Sequence, residues 1–258
     1  MIIKRLKKFL FSRKYFVKET IIIYKEKIII MVLASKIFYL KEHIGINTIA
    51  AKLKDYRLTE VQQIDDKEYE IGKSVTSLEA TDNGLKGVFE ESFIVDFKYR
   101  DEEFKIPLSI TTYFEFYRKN GNLFLILLAK KERANRIATL FSTVLTAEKN
   151  QILEIEIPSE TLQKLVETRR EQTKVIFFDN VKLPGVEKLS LYGSNILDTN
   201  LYQEYIKIGK IWYIVLEMEE NIVVGLTRNG IVTFFSKILE EEALDFIKEK
   251  IIPLSRFI

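Results

Sequence analysis

The chain has 258 residues, with no cysteine, a single histidine, only four prolines, and ten glycines of which no two are adjacent. Each scarcity removes a class of chemistry. Without cysteine there is no disulfide framework, no thiolate nucleophile and no cysteine-bearing zinc site. A histidine-based triad would have to use His43, whose neighbours Lys41, Glu42, Ile44 and Gly45 read as a loop or a helix end. No stretch matches Gly-x-x-x-x-Gly-Lys-Ser/Thr or Gly-x-Gly-x-x-Gly, so no glycine-built phosphate nest is expected. Long apolar runs are missing too. Ile21-Ile22-Ile23 is broken by Lys25-Glu26-Lys27 before Ile28, and neither piece nears the ~20 apolar residues of a transmembrane helix. Phe9-Leu10-Phe11 is shorter than the ~7–15-residue apolar core of a secretory signal. The expectation is a cytoplasmic protein with no transmembrane segment and no cofactor.

Positive charge is concentrated at one end. In the first thirty residues nine Lys and Arg stand against two Glu, a net +7 in a chain whose total is +3, so the remaining 228 residues carry −4. Ile2, Ile3, Leu6, Phe9 and Leu10 recur near helical spacing, with Lys4, Arg5, Lys7 and Lys8 between them. That is the pattern of a basic amphipathic helix at an anionic surface, either lipid or nucleic acid. The candidate polyanion-binding residues are Lys4, Arg5, Lys7, Lys8, Arg13 and Lys14. The competing reading is an extension dispensable for the fold, because Met31-Val32-Leu33 could begin a protein by itself.

The rest has the composition of a folded domain, 47% hydrophobic and 30% charged. The charged share exceeds the ~25% usual for soluble domains and, with no cysteine and many Lys and Glu, points to a thermophilic source. Period-two alternation dominates. Phe93, Val95, Phe97 and Tyr99 alternate with polar neighbours, and the pattern resumes from Phe104 to Phe116. Shorter β-prone runs cover Leu153 to Ile157, Lys174 to Phe178, Leu189 to Tyr192, Ile211 to Leu216 and Ile231 to Phe235. Asn83-Gly84, Asn120-Gly121 and Asn229-Gly230 read as tight hairpin turns.

Two hairpins lead into amphipathic helices, Lys130 to Leu145 and Leu239 to Ile251, the latter stopped by Pro253. Glu160 to Arg170 reads as a third helix, with Ser159 as its N-cap. Lys119-Asn120-Gly121 and Arg228-Asn229-Gly230 open similar units 109 residues apart, either an internal duplication or repeated use of a common hairpin-then-helix unit. The predicted fold is α+β, with antiparallel sheets built from hairpins and helices packed on one face, in two similar subdomains. The boundaries are a basic arm over 1–30 and subdomains over 31–147 and 148–258.

Carboxylate chemistry is what the composition leaves open. Asp179 ends a β-prone run, and Asp198, Glu204 and Lys207 follow it, a set suited to a magnesium-dependent nuclease. The Glu-x-x-Lys spacing departs from the Glu-x-Lys that would put both side chains on one strand face. Thr48 to Leu53 and Thr59 to Ile64 could form a helix-turn-helix that exposes Gln62 and Gln63, or Asn47 to Tyr56 could be one helix covering a sheet. Lys130, Lys131, Arg133 and Arg136 gather on one helix face. Tyr99, Tyr113, Tyr117, Tyr202, Tyr205, Trp212 and Tyr213 lie near strands, where exposed rings can stack bases and buried ones are core.

By subtraction, the sequence favours a non-enzymatic binding or interaction protein with an unidentified protein partner, and weak nucleic-acid or anionic-lipid association through the arm. The alternative is the magnesium-dependent nuclease. A chain starting at Met31 is expected to fold with an unchanged melting temperature. It should lose the component of polyanion binding that falls steeply with salt. Insolubility of that shortened chain would show that the arm is structural.

Overall fold

The computed structural model describes residues 32–64, 66–218 and 221–256. The candidate residues Lys4, Arg5, Lys7, Lys8, Arg13 and Lys14 lie outside them. The organising strand is β1 (Leu33–Leu40). It is followed by helix α1 (Ile46–Leu53) and an antiparallel meander of β2 (Arg57–Ile64), β3 (Lys67–Thr81), β4 (Gly84–Tyr99), β5 (Glu102–Lys119) and β6 (Asn122–Leu127). Helix α2 (Lys131–Thr146) leads to the short β7 (Ile152–Glu154) and to α3 (Ser159–Thr168). The chain then forms β8 (Thr173–Asp179), β9 (Leu189–Tyr192), α4 (Asn200–Ile208), β10 (Lys210–Glu217), β11 (Val223–Thr227), β12 (Ile231–Phe234) and α5 (Glu240–Phe246). Helix α5 continues as a π turn over Ile247–Ile251, and Pro253 sits in the 3-10 turn that ends it.

All twelve strands belong to one antiparallel sheet, in the order β2-β3-β4-β5-β6-β1-β12-β11-β10-β8-β9, with β7 also paired to β1. This corrects the expected α+β fold of antiparallel sheets built from hairpins with helices packed on one face: a single sheet runs through both halves, and its short helices lie on opposite faces. The reason is β1, which pairs with β6 along one edge and with β12 and β7 along the other. The two hairpin-then-helix units flank it.

Side-chain alternation in the central strands feeds two cores on opposite faces. Phe38, Leu40, Leu125 and Leu127 pack with α1 and α2, through Ile49, Leu53, Ile137 and Phe141. Ile37, Tyr39, Phe124 and Ile126 pack with α3, α4 and α5, through Leu162, Val166, Tyr202, Ala243 and Phe246. The helices therefore cover opposite faces of one sheet, α1 and α2 over the N-terminal half and α3, α4 and α5 on the other face, where the continuation of α5 reaches β5. The C-terminal half keeps a face away from α3, α4 and α5.

Local features depart from the sequence expectations for identifiable reasons. The second helix of the proposed helix-turn-helix is strand β2, paired with β3 from Arg57↔Ser74 to Ile64↔Lys67. Val61 is two-thirds exposed rather than packed, and the Arg57 guanidinium and Thr59 hydroxyl both donate to Glu70 across the ladder. Cross-strand pairing outweighs the weak helical spacing there. Of the three Asn-Gly pairs, only Asn120-Gly121 has positive φ at both residues, 50° and 81°, as a type I′ turn needs. Ser159 is the first residue of α3, which Pro158 precedes without a side-chain cap. Among the described residues no helix is long and apolar enough to cross a membrane.

Two buried charges tie distant elements. Lys36 of β1 is fully buried, donates to Asn135 Oδ1 of α2 at 2.8 Å, and pairs with Glu154 of β7. Burial holds its ammonium below the ordinary value, and the Glu154 bond pulls the other way. On the opposite face Lys248 meets the buried Glu115 of β5 at 3.0 Å and Asp245 at 2.9 Å. Lys36→Met should cost about 1–3 kcal/mol, because Asn135 loses its buried donor. Glu154→Gln should cost less, since that side chain is 40% exposed. Denaturant titration of both variants and the double mutant measures the coupling, and a zero coupling would mean that the pair does not hold β1 to β7.

Candidate functional site

Over the C-terminal half, the sheet face opposite α3, α4 and α5 is free of those helices. The register identifies what projects from it. Ile176, Phe178, Ile214, Val224, Leu226 and Val232 enter the helix-covered core, so their neighbours Val175, Phe177, Tyr213, Thr227 and Thr233 point the other way. A register shift between Ile211 and Tyr213 leaves Trp212 as the extra residue of a bulge, beside Tyr213 on the open face.

Four rings meet there. Phe177 lies with its centroid 5.5 Å from Tyr192, 5.7 Å from Trp212 and 5.5 Å from Tyr213, and Trp212 lies 5.8 Å from Tyr213. Gly225 makes room for this arrangement, because a Cβ there would overlap the Tyr213 ring and hydroxyl. Tyr213 therefore spans the neighbouring strand, and its burial raises the phenol above its ordinary value, with Tyr192 adding to the effect. Tyr192 is two-thirds exposed at the edge strand β9. The Lys188 ammonium stands 5.2 Å from the Trp212 ring centroid, a cation–π contact.

Beside the rings is a hollow of about 320 Å³, lined by Lys131, Trp212, Thr227, Arg228, Asn229 and Ile231. Lys131 begins α2, which covers the other half of this face and so walls the hollow. A hydrogen-bond chain runs beneath it. Ile231 N donates to Thr227 Oγ1 at 3.0 Å, Thr227 Oγ1 donates to Asn229 Oδ1 at 2.7 Å, and Asn229 Nδ2 donates to Glu154 Oε2 at 3.2 Å. Glu154 in turn holds the buried Lys36. The hollow's floor is thus fixed to β1 and β7.

The sequence-derived candidates fall in several places. Asp179 ends β8 and pairs with Arg228, while Asp198, in the turn before α4, pairs with Arg170. Glu204 and Lys207 are exposed on α4. An ion bound by both aspartates would have to displace two different guanidinium groups. Among the described residues no group of three or more His, Cys, Asp and Glu side chains converges on a common point. His43 is exposed between β1 and α1. Of the basic residues near α2, Arg133 pairs with Glu91 at 3.3 Å and donates to Ile110 O at 2.7 Å, leaving Lys131 to face the hollow.

The aromatic candidates divide. Tyr202 is core, held near Glu167, and burial raises its phenol well above the ordinary range. Tyr205 packs against Phe178, and Tyr113 and Tyr117 pack on the same core. Trp212 and Tyr213 reach the open face, where the sequence reading had not placed Phe177, Tyr192, Lys188 and Arg228. Period-two counting through Lys174 to Phe178 would have put Phe177 opposite Phe178, but nothing in one sequence fixes the bulge at Trp212. Tyr99 sits at the end of the β4–β5 hairpin.

No family model matches this chain, and no curated protein matches it.

The flat placement of Tyr213 over Gly225 can be checked directly. Gly225→Ala should lift the ring, cost about 1–3 kcal/mol as overpacking does, and change the near-ultraviolet circular dichroism while leaving the far-ultraviolet spectrum intact. An unaltered near-ultraviolet spectrum would show that the ring is not seated on Gly225.

Proposed function

We propose that this chain is a non-enzymatic binding protein whose ligand is single-stranded nucleic acid, laid across the open face of the C-terminal half-sheet. The observation that carries the reading is the cluster of Phe177, Tyr192, Trp212 and Tyr213 on a rigid sheet surface that no helix covers. Every base has a π-face, so rings bind strands with little sequence choice, at about 1–3 kcal/mol per stacked base. Duplex DNA hides those faces. With β2 in place of a recognition helix, the helix-turn-helix route to base edges lacks its reading element.

Cations border the rings. Lys188, Arg228 and Lys131 lie at or beside them, while Asp179 and Glu154 are each engaged by a cation. The −4 of the body therefore does not set the potential at this surface. The arm residues Lys4, Arg5, Lys7, Lys8, Arg13 and Lys14 fit the same reading by adding counterion release along the strand. The reading includes the cytoplasmic location expected from the sequence.

A protein partner is the second reading, and a different surface favours it. At the end of the β4–β5 hairpin Phe93, Phe97, Tyr99, Ile106 and Leu108 are 36–52% exposed. The register puts Phe93 opposite Leu108 and sets Ile106 opposite Val95, on the face that carries Phe89 further along. An apolar stripe of this kind marks interaction surfaces.

Trp212 is the only tryptophan, which makes its fluorescence a reporter of the site. Titrating oligothymidine into the full chain should quench it saturably, and Tyr192→Ala should weaken binding roughly five- to a hundred-fold. The stacking component should persist at salt concentrations that abolish the arm's contribution. Binding that leaves the emission unchanged and ignores Tyr192→Ala would remove the face from the reading.

A further inference from the structure

The hollow beside the rings offers donors and almost no free acceptors. Thr227 Oγ1 already accepts from Ile231 N and donates to Asn229, and Asn229 uses both ends of its amide on Thr227 and Glu154. What remains available is cationic or donating. The Trp212 indole N–H has no acceptor among the described residues, but it is sealed from solvent and so is not offered to a ligand in the hollow. Arg228 commits one amino nitrogen to Asp179 and keeps other N–H groups in its planar fork. Lys131 is exposed on the wall, close enough to Lys36 for the two charges to repel. A neutral apolar ligand would leave both cations unmet, and a cation would be repelled.

We infer that this hollow is a nucleotide subsite, with a phosphate held between Lys131 and Arg228 beside the Trp212 ring. The inference rests on the single-strand reading and adds to it a fixed point at which the strand is gripped by its phosphate. The size agrees, since about 320 Å³ is at the lower end of cavities that enclose small ligands, about 300–1,000 Å³, and far exceeds what a bare phosphate fills. The neighbouring rings continue outward from Trp212, so the next base along the strand has a surface to stack on.

A nucleoside monophosphate, the matching nucleoside and inorganic phosphate are to be titrated separately into the full chain, read by Trp212 fluorescence. The monophosphate should bind saturably and at least ten-fold more tightly than the nucleoside. Lys131→Ala, at an exposed position that the fold does not depend on, should weaken it about five-fold. The same substitution should lower by about 1 the slope of log affinity against log salt for an oligonucleotide. Oligonucleotides with a 5′-phosphate, a 3′-phosphate or neither then separate an end-binding site, where one terminal phosphate tightens binding, from one that takes an internal phosphodiester. Equal affinity for nucleoside and monophosphate, or an oligonucleotide slope untouched by Lys131→Ala, would overturn the subsite. Oligothymidine binding that still depends on Tyr192 in that case would leave the single-strand reading standing, whereas loss of all oligonucleotide binding would end both.

Discussion

Everything in this molecule follows from β1 and β6 being buried on both faces. Ile37, Phe38, Leu125 and Ile126 are each fully or almost fully removed from water, at about 1.5–3 kcal/mol per side chain by area. That burial requires material above and below the centre of the sheet. The chain supplies it with α1 and α2 on one side and α3, α4 and α5 on the other. Five short helices cannot cover both faces of twelve strands. The uncovered surface is a consequence of where the helices had to go, and the four rings sit on it.

The transition from covered to open face falls at Lys36, a charge at a position where the neighbouring Phe38 and Leu40 are core. Burying an ammonium is unfavourable unless it is paired and hydrogen-bonded, and here Glu154 and Asn135 do both. Glu154 is partly exposed, and its second oxygen takes the Asn229 amide. The polar chain Lys36–Glu154–Asn229–Thr227 thus runs from a dry core to the floor of the hollow. Its members come from β1, β7 and the β11–β12 hairpin, so Lys36–Glu154 ties β1 to β7 and Glu154–Asn229 ties β7 to the hairpin. A shift of β12 by one residue would break the chain as well as turning Val232 and Phe234 out of their core.

Much of this was legible in the sequence as local pattern. The long alternation from Phe93 to Phe116, the runs that became β8, β9, β10 and β12, and the helices after Asn120-Gly121 and Asn229-Gly230 all carry periodicities that survive folding. What was hidden was pairing at a distance. Ile37-Phe38-Tyr39-Leu40 is a continuous apolar run, which is how a strand buried on both faces reads, yet so short a run lacks the period that separates a strand from a buried helix. Only the pairing of β1 with both β6 and β12 joins the halves, and no local pattern encodes it. Thr59 to Ile64 is compatible with the second helix of a helix-turn-helix as well as with a strand, and only the ladder of β2 with β3 decides between them. The site was less visible still. Its rings come from β8, β9 and β10, and a bulge that no single sequence reveals turns Trp212 onto their face.

A broad helix-free sheet face invites a second sheet to pack on it, and its composition argues against that fate. Sheet sandwiches need interdigitating aliphatic side chains on both inner surfaces. This face interrupts Val175 and Val215 with Thr227, Thr233 and the Tyr213 hydroxyl, and Lys188 covers part of its tryptophan. The edges are guarded as well. Strand β9 is only four residues long, and β2 carries Arg57, Glu60, Gln62 and Gln63 along the other border, so neither offers a long apolar edge for strand addition. A surface that resists both sheet packing and edge pairing, yet keeps rings bordered by Lys188, Arg228 and Lys131, is suited to a ligand that brings planar faces and negative charge together. Among the chain's expected partners, nucleic-acid strands supply both.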